Sequence, residues 1–409
     1  MRMWYILFCL VFCFTVFSCS EDDSVDGFLT EESSGSNGSD SDGSSSPTQT
    51  SSSSMFIQDF SRAHVVNQKL GRGVNLGNAL EAQCRNINLC ENTQKYNSAL
   101  NSYDEEKSYV TSWDGCWSNP INENTYFADL KSKGFKSIRL PVRWAEKASD
   151  NPPFTIPASF KTRVKQVVDK AIAEGFPVIL NIHHYNELYD DCKKRSDLDL
   201  QKQKFVELWR QIANDYKDYS NDFLVFEILN EGRTRITHSV LNDLLKDVWP
   251  VIRETNPGRT IMINPADWGK FSALQRIEIP NDPKTNERDA NVILSGHFYE
   301  PQCYTHRNES DDCKPGISNW GTADEQNKLK TTISNKVNEL KAKYVGLNGT
   351  TIPINIGEFG VTVNVNSGRT TWVATAREEF EKNGFSWHYW AYPSAGAFKM
   401  DGVQGALIP

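Results

Sequence analysis

Pro177-Val178-Ile179-Leu180-Asn181-Ile182-His183-His184-Tyr185 is a short, largely apolar and β-branched run that ends abruptly in polar residues. A run of that length and composition reads as a strand buried on both faces. Downstream, residues 204–216 carry amphipathic helical spacing, and residues 224–229 repeat the strand pattern before closing on Asn230-Glu231. The same alternation extends in both directions. Strands are predicted at 73–76, 137–141, 177–182, 224–229, 261–264, 292–295, 352–356 and 386–390, and helices at 160–174, 204–216, 241–255, 325–344 and 371–383. Eight strands separated by helices predict an α/β fold, specifically a (β/α)8 TIM barrel. A doubly wound sheet fits less well, because the count closes at eight and no Gly-rich phosphate loop follows the first strand.

Barrel enzymes carry their chemistry at the C-terminal ends of the strands. Here those ends are polar: Arg139-Leu140-Pro141 after the second, His183-His184-Tyr185 after the third, Asn230-Glu231 after the fourth, His297-Phe298-Tyr299 after the sixth, Glu358 on the seventh and Trp390 on the eighth. Burying that many polar groups at one mouth costs several kcal/mol unless they pair with one another or with a ligand. Glu231 and Glu358, on strands four and seven, face each other across such a barrel, the arrangement needed to flank a glycosidic bond. Arg139, the histidines and a tyrosine are expected to keep one carboxylate ionised while the other, less well solvated, holds a proton.

The composition agrees. The chain has 409 residues, 38% of them hydrophobic, with a mean hydropathy of −0.54 and a formal net charge of −8. Residues 20–55 hold fourteen serines, eight acids and no basic residue, and residues 56–409 carry 43 basic against 44 acidic groups. A nearly neutral body without a basic stripe argues against nucleic acid. Eleven Trp and fourteen Tyr point instead to flat, weakly polar ligands.

Arg2 precedes an apolar run, residues 4–17, too short to span a bilayer and ending in a small residue before a cysteine. We read residues 1–18 as a signal peptide. Val16-Phe17-Ser18-Cys19 resembles the lipobox of bacterial lipoproteins, which implies a lipid anchor at Cys19; secretion without lipidation is the alternative. The acidic run 21–23 behind Cys19 resembles the surface-export signals of Bacteroidetes lipoproteins. Residues 19–55 are read as a self-repelling tether and 56–409 as the catalytic domain. An outer-membrane or cell-surface location, a monomer, and membrane contact through the lipid alone are expected. Of nine cysteines, six fall in the body, and an even number in an exported chain suggests disulfides, with Cys84/Cys90 and Cys303/Cys313 as local staples and Cys116/Cys192 bridging two loops. A zinc site lacks the favoured C-x-x-C spacing.

With these residues in place, the sequence from about Phe56 onward resembles glycoside hydrolase family 5, the cellulase-type retaining β-glycanases. The resemblance implies that Glu231 in Ile228-Leu229-Asn230-Glu231 is the acid/base and Glu358 in Ile356-Gly357-Glu358-Phe359-Gly360 the nucleophile. Arg139, His183, Asn230, His297, Tyr299 and Trp390 match the rest of the family's active-site set. Gly73-Val74-Asn75-Leu76-Gly77-Asn78-Ala79-Leu80-Glu81, with Tyr304-Thr305-His306 and Trp320, looks like the endoglucanase and xyloglucanase subfamily and adds Asn75 to the substrate-binding candidates. Phe298 stands where a second Tyr is commoner, and only nineteen residues follow Trp390, so the closing helix is expected to be short or irregular.

Each candidate has a plainer reading. Arg139 could be a surface ion-pair partner and either glutamate a loop charge. His183 and His184 could be a core pair or metal ligands; adjacent strand residues point to opposite faces, which favours His183 for the site with His184 in support and no metal. Trp144, Trp209, Trp249 and Trp387 read as core; Trp113, Trp117, Trp268 and Trp320 lie in predicted loops and are candidates to stack on sugar rings. The implied activity is endo-hydrolysis of a β-1,4-glucan (cellulose, mixed-linkage glucan or xyloglucan) by double displacement, without a cofactor. An endo-β-mannanase and a non-catalytic surface glycan-binding lipoprotein are the alternatives.

Overall fold

The computed structural model describes residues 59–82, 87–88, 93–94, 121–190, 197–309, 313–393 and 396–409. Eight strands form one closed, all-parallel barrel: β1 (Arg72–Leu76), β2 (Ser137–Leu140), β3 (Val178–Asn181), β4 (Leu224–Glu227), β5 (Ile261–Ile263), β6 (Val292–Phe298), β7 (Ile354–Phe359) and β8 (Ser386–Tyr392). Each strand pairs with its sequence neighbours, and β1 closes the ring on β8. A short antiparallel ribbon joins Ile87–Asn88 to Thr93–Gln94.

Strand alternation sorts the side chains into two apolar layers. Val178, Leu180, Leu224 and Phe226 point outward into the large core shared with the helices. Ile179, Val225, Met262 and Ile293 point inward and form a second cluster with Ala63, Val66 and Leu70 of α1 (Ser61–Leu70), which plugs the N-terminal end of the barrel. One register step further along the strands the interior turns polar, with Asn75, Arg139, Asn181, Glu227, Ser295, Asn355 and His388 all fully buried.

The five predicted helices are present as Ala158–Ala173, Leu198–Asp215, His238–Thr255, Ala323–Lys343 and Arg369–Lys382. All begin two to six residues earlier than the amphipathic pattern. Polar caps set three of these starts: Asp197 accepts from the amides of Asp199 and Leu200, Thr237 from Val240, and Thr322 forms a reciprocal capping box with Glu325. Each such cap contributes about 1 kcal/mol and is invisible to apolar periodicity. The element after β5 is a 3₁₀ helix, Phe271–Arg276, and the helix closing the barrel is a single turn, Gln404–Leu407, in line with the short tail expected after Trp390. β6 runs three residues beyond its predicted end, with a register shift between Gly296 and His297 that sets His297 opposite Glu358. Such a bulge re-aims a side chain, here at the rim of the barrel.

Cys303 and Cys313 form the expected disulfide, Cα atoms 4.8 Å apart. Cys19, the tether, the other two cysteine pairs, Trp113 and Trp117 lie outside the described residues. Among the described residues no helix is long and apolar enough to cross a membrane.

Candidate active site

The site is built on Arg139. Its position on β2 points the side chain into the barrel, where its Nε donates to Glu227 Oε2 (2.7 Å), Nη1 to Asn75 Oδ1 (2.9 Å) and Glu358 Oε1 (2.8 Å), and Nη2 to Asn230 Oδ1 (2.6 Å). The surface ion-pair reading is therefore excluded: Arg139 is 0% exposed. A buried guanidinium demands this many acceptors, and its fork fixes their relative geometry. Glu227 also accepts from Asn181 Nδ2 (3.2 Å) and Ser295 Oγ (3.1 Å), and Asn75 donates to the carbonyls of Gly357 (3.0 Å) and His388 (3.2 Å). Arg139 itself thereby ties β2 to β1, β4 and β7, and Asn181, Ser295 and His388 bring β3, β6 and β8 into the same network.

Above this platform stand the two carboxylates. Glu358 also accepts from Tyr299 Oη (3.1 Å), whose hydroxyl is held well above its ordinary pKa by burial and by the Glu358 charge and so remains a donor. Glu231 accepts from His297 Nδ1 at 2.8 Å, and the same nitrogen lies 3.6 Å from Glu358 Oε2. An oxygen of Glu231 and one of Glu358 fall within 4.8 Å of each other. Asn230 gives its oxygen to Arg139, which leaves its Nδ2 buried with no partner among the described residues.

The remaining candidates line the rim. Trp390 is half-buried and lies parallel to the His183 ring, 5.8 Å between centroids and 5° between planes. Gly77 permits this: a Cβ there would meet the Trp390 ring at 3.2 Å and the Ala391 Cβ at 2.8 Å. His183 and His184 do not point to opposite faces as expected. His184 has φ 53°, a turn out of the strand, and its ring meets His183 edge-on at 4.2 Å. Burial, with nearby arginines, pushes both imidazoles well below their ordinary pKa, so they are neutral. His183 takes a contact from Asn181 Nδ2 and not from a carboxylate, so the histidine that acts on the carboxylates is His297. Trp268 is 52% exposed and packs on the Arg233 guanidinium (4.4 Å), which in turn covers Tyr189 (4.3 Å). Trp320, a stacking candidate in the sequence, is buried beside Tyr304 (6.1 Å), and Trp144, Trp209, Trp249 and Trp387 are core as expected. Phe298, the departure from the family pattern, points away from the mouth into Phe271, Trp372 and Phe380.

The electrostatics differ from the simple expectation of a protonated Glu231 beside an ionised Glu358. Burial raises both carboxyls. At Glu231 the donated hydrogen bond and charge of His297, with Arg233 and Arg139, outweigh burial and hold it below the ordinary range; at Glu358 burial, with the charge of Glu231, outweighs His297 and Arg139 and holds it above. His297, although buried, is raised by Glu358 and Glu231. The cleft thus shares its mobile proton among three coupled groups, with His297 as a holder the sequence reading did not include.

Glu231, His297 and Glu358 also form a possible three-ligand set for a cation. A dication there would sit against the fixed charge of Arg139, already 2.8 Å from Glu358. Proton chemistry suits the cluster better.

The family model of cellulases, glycosyl hydrolase family 5, matches residues 98–396. The chain belongs to glycosyl hydrolase family 5. It is 30% identical to endoglucanase H of Acetivibrio thermocellus over 335 residues, 82% of this chain and 31% of that protein. It is 26% identical to a xyloglucan-specific endo-β-1,4-glucanase of Bacteroides ovatus over 267 residues, 61% of this chain and 50% of the relative. The chain thus spans about a third to a half of these two curated relatives. Among solved structures, Thermotoga maritima Cel5A in complex with cellobiose superimposes with a TM-score of 0.69 at 31% identity, covering 86% of this chain and 100% of that one, and its mannotriose complex gives 0.68.

Within this family 5 barrel, two polar residues escaped the sequence reading. Glu227 was hidden inside an apolar run, where an acid at an inward position of a buried strand is itself the signal. Asn264 was taken as the end of β5; its side chain bonds the Glu231 backbone.

Proposed function

We propose that this protein is an endo-acting β-1,4-glucanase that works by retaining double displacement. The observation that carries the mechanism is the approach of one Glu231 oxygen and one Glu358 oxygen to within 4.8 Å, which fits the ~5–5.5 Å carboxyl separation of retaining enzymes better than the ~6.5–9.5 Å of inverting ones. Glu358, oriented by Arg139 and Tyr299, attacks the anomeric carbon. The positive charge developing there favours its ionised form and offsets the burial that opposes it. Glu231 protonates the departing oxygen, and His297 resupplies it along their 2.8 Å hydrogen bond. Water then hydrolyses the glycosyl-enzyme with Glu231 as base. The unpartnered Asn230 amide suits the sugar 2-hydroxyl, Trp390 the floor of the cleavage subsite, and Trp268 a ring farther along the chain. Paired acid and nucleophile weigh against a pure glycan binder.

We also propose, from residues 1–55, a lipid-tethered surface location; Cys19→Ala should then move the protein from the membrane to the soluble fraction, and unchanged membrane association would contradict it.

The substrate proposal is tested by viscometry with product analysis on soluble β-1,4-glucan, xyloglucan, mixed-linkage glucan and mannan. Viscosity should fall faster than reducing ends appear on the glucans. Faster cleavage of mannan, a sugar that a solved relative holds as mannotriose, would promote the mannanase reading.

A further inference from the structure

Glu231 sits in the left-handed region, with φ 48°, unusual for a residue with a side chain. A backbone held there is strained and persists only where its surroundings over-determine it. The determinant is Asn264, at the end of β5. Its Oδ1 accepts from the Glu231 amide at 2.9 Å, and its Nδ2 donates to the Ser295 carbonyl of β6 at 2.9 Å. The second bond fixes which way the amide faces, so the oxygen is always presented to Glu231. Gly269, with φ 64°, closes over this side chain: a Cβ there would overlap the Asn264 oxygen. The Gly269 carbonyl accepts from the His297 amide at 2.7 Å, and the Trp268 amide donates to the Gly232 carbonyl at 3.2 Å. Both partners of the Glu231–His297 hydrogen bond are therefore held by one buried side chain and the turn folded over it.

We propose that Asn264 is a positioning residue for acid/base catalysis, holding the Glu231 backbone so that its carboxyl meets both His297 and the departing oxygen. The inference rests on the reading of Glu231 as the acid/base. Asn264 touches no sugar in this account, so its effect passes entirely through Glu231 and scales with how much protonation the leaving group needs. Misplacing a catalytic group by about 1 Å costs on the order of 10²-fold in rate.

The test compares Asn264→Ala, Asn264→Asp and Glu231→Ala on soluble β-glucan and on 2,4-dinitrophenyl β-cellobioside, whose leaving group departs without a proton. Asn264→Ala should lose on the order of 10²-fold in kcat on β-glucan with KM little changed, while its pre-steady-state release of dinitrophenol stays near wild type. Asn264→Asp keeps the side-chain volume and the acceptor for the Glu231 amide; it should show the same split at smaller size, with the basic limb of the pH profile moved upward by the added negative charge, and it decides the matter if the alanine variant does not fold. Equal losses on both substrates, or no loss on either, would overturn the proposal. The Glu231→Ala control separates the failures: if it lacks the leaving-group split, the acid/base assignment itself fails; if it shows the split and the Asn264 variants do not, only the role of Asn264 does.

Discussion

Arg139 and Glu227 form an ion pair at 2.7 Å with neither side chain exposed to solvent. The guanidinium that holds the proposed nucleophile is thus shared with a second carboxylate that never meets the cleft. Burial alone would lower the Arg139 pKa, but the charges of Glu227 and Glu358 outweigh it and hold the pKa above the ordinary value. Glu227→Gln should leave Arg139 to Glu358 alone. The acid limb of kcat/KM, which reports ionisation of Glu358, should then move to lower pH, while breaking a buried pair costs about 3–5 kcal/mol of stability. Chemical denaturation and a pH–rate profile check both, and an unmoved acid limb would show that Glu227 does not tune Glu358.

The His297 hydrogen bond makes a second prediction. If the acid is the Glu231–His297 couple, the basic limb of the rate profile reports loss of its shared proton, and that proton is retained to higher pH because both carboxylates raise His297. His297→Gln removes a holder with a raised value and leaves only carboxyls, so the basic limb should shift to lower pH and kcat should fall. A limb that stays where it was would assign it to some other group.

How much of this was legible in the sequence follows from which physical signal each residue gives. The barrel was legible because buried parallel strands are continuous apolar runs. Arg139, Asn230, Glu231, Tyr299 and Glu358 were legible because they are costly polar groups at strand ends. The charge state was not legible. The bulge between Gly296 and His297 brings His297 opposite Glu358, and a bulge changes register without changing composition. The pairing of His183 with His184 depends on a left-handed backbone that strand alternation does not anticipate.

Glu81 provides a test outside the chemistry. Its carboxyl, fully buried at the loop after β1, accepts from the amides of Asn78 and Ala79 (3.0 Å for the latter), yet burial pushes its pKa up to about 7. A carboxyl raised on folding binds its proton more tightly in the native state. Its contribution is therefore full below the unfolded value near 4.5 and is lost as pH rises through about 7, on the order of 3 kcal/mol across that window. Glu81→Gln should flatten this part of the stability–pH curve; parallel curves for the two proteins, followed by Tm from pH 4.5 to 8, would remove Glu81 as its source.

Trp268 should act on binding alone. Its ring is exposed and backed by Arg233, so Trp268→Ala should raise KM on long glucan chains by about tenfold, the ~1–1.5 kcal/mol of a stacked ring, and leave a short aryl cellobioside unaffected. An equal effect on both substrates would place the ring at the cleavage point instead.

The central claim is the division of labour between Glu231 and Glu358, and azide rescue with stereochemical analysis of the product tests it most directly. In Glu358→Ala the anion should occupy the vacated space, attack the anomeric carbon and give a glycosyl azide of inverted configuration. In Glu231→Ala, with an aryl glycoside that needs no protonation, the glycosyl-enzyme should still form, and azide should intercept it to give the retained configuration. The same configuration from both variants, or wild-type turnover of polysaccharide by either, would contradict the account.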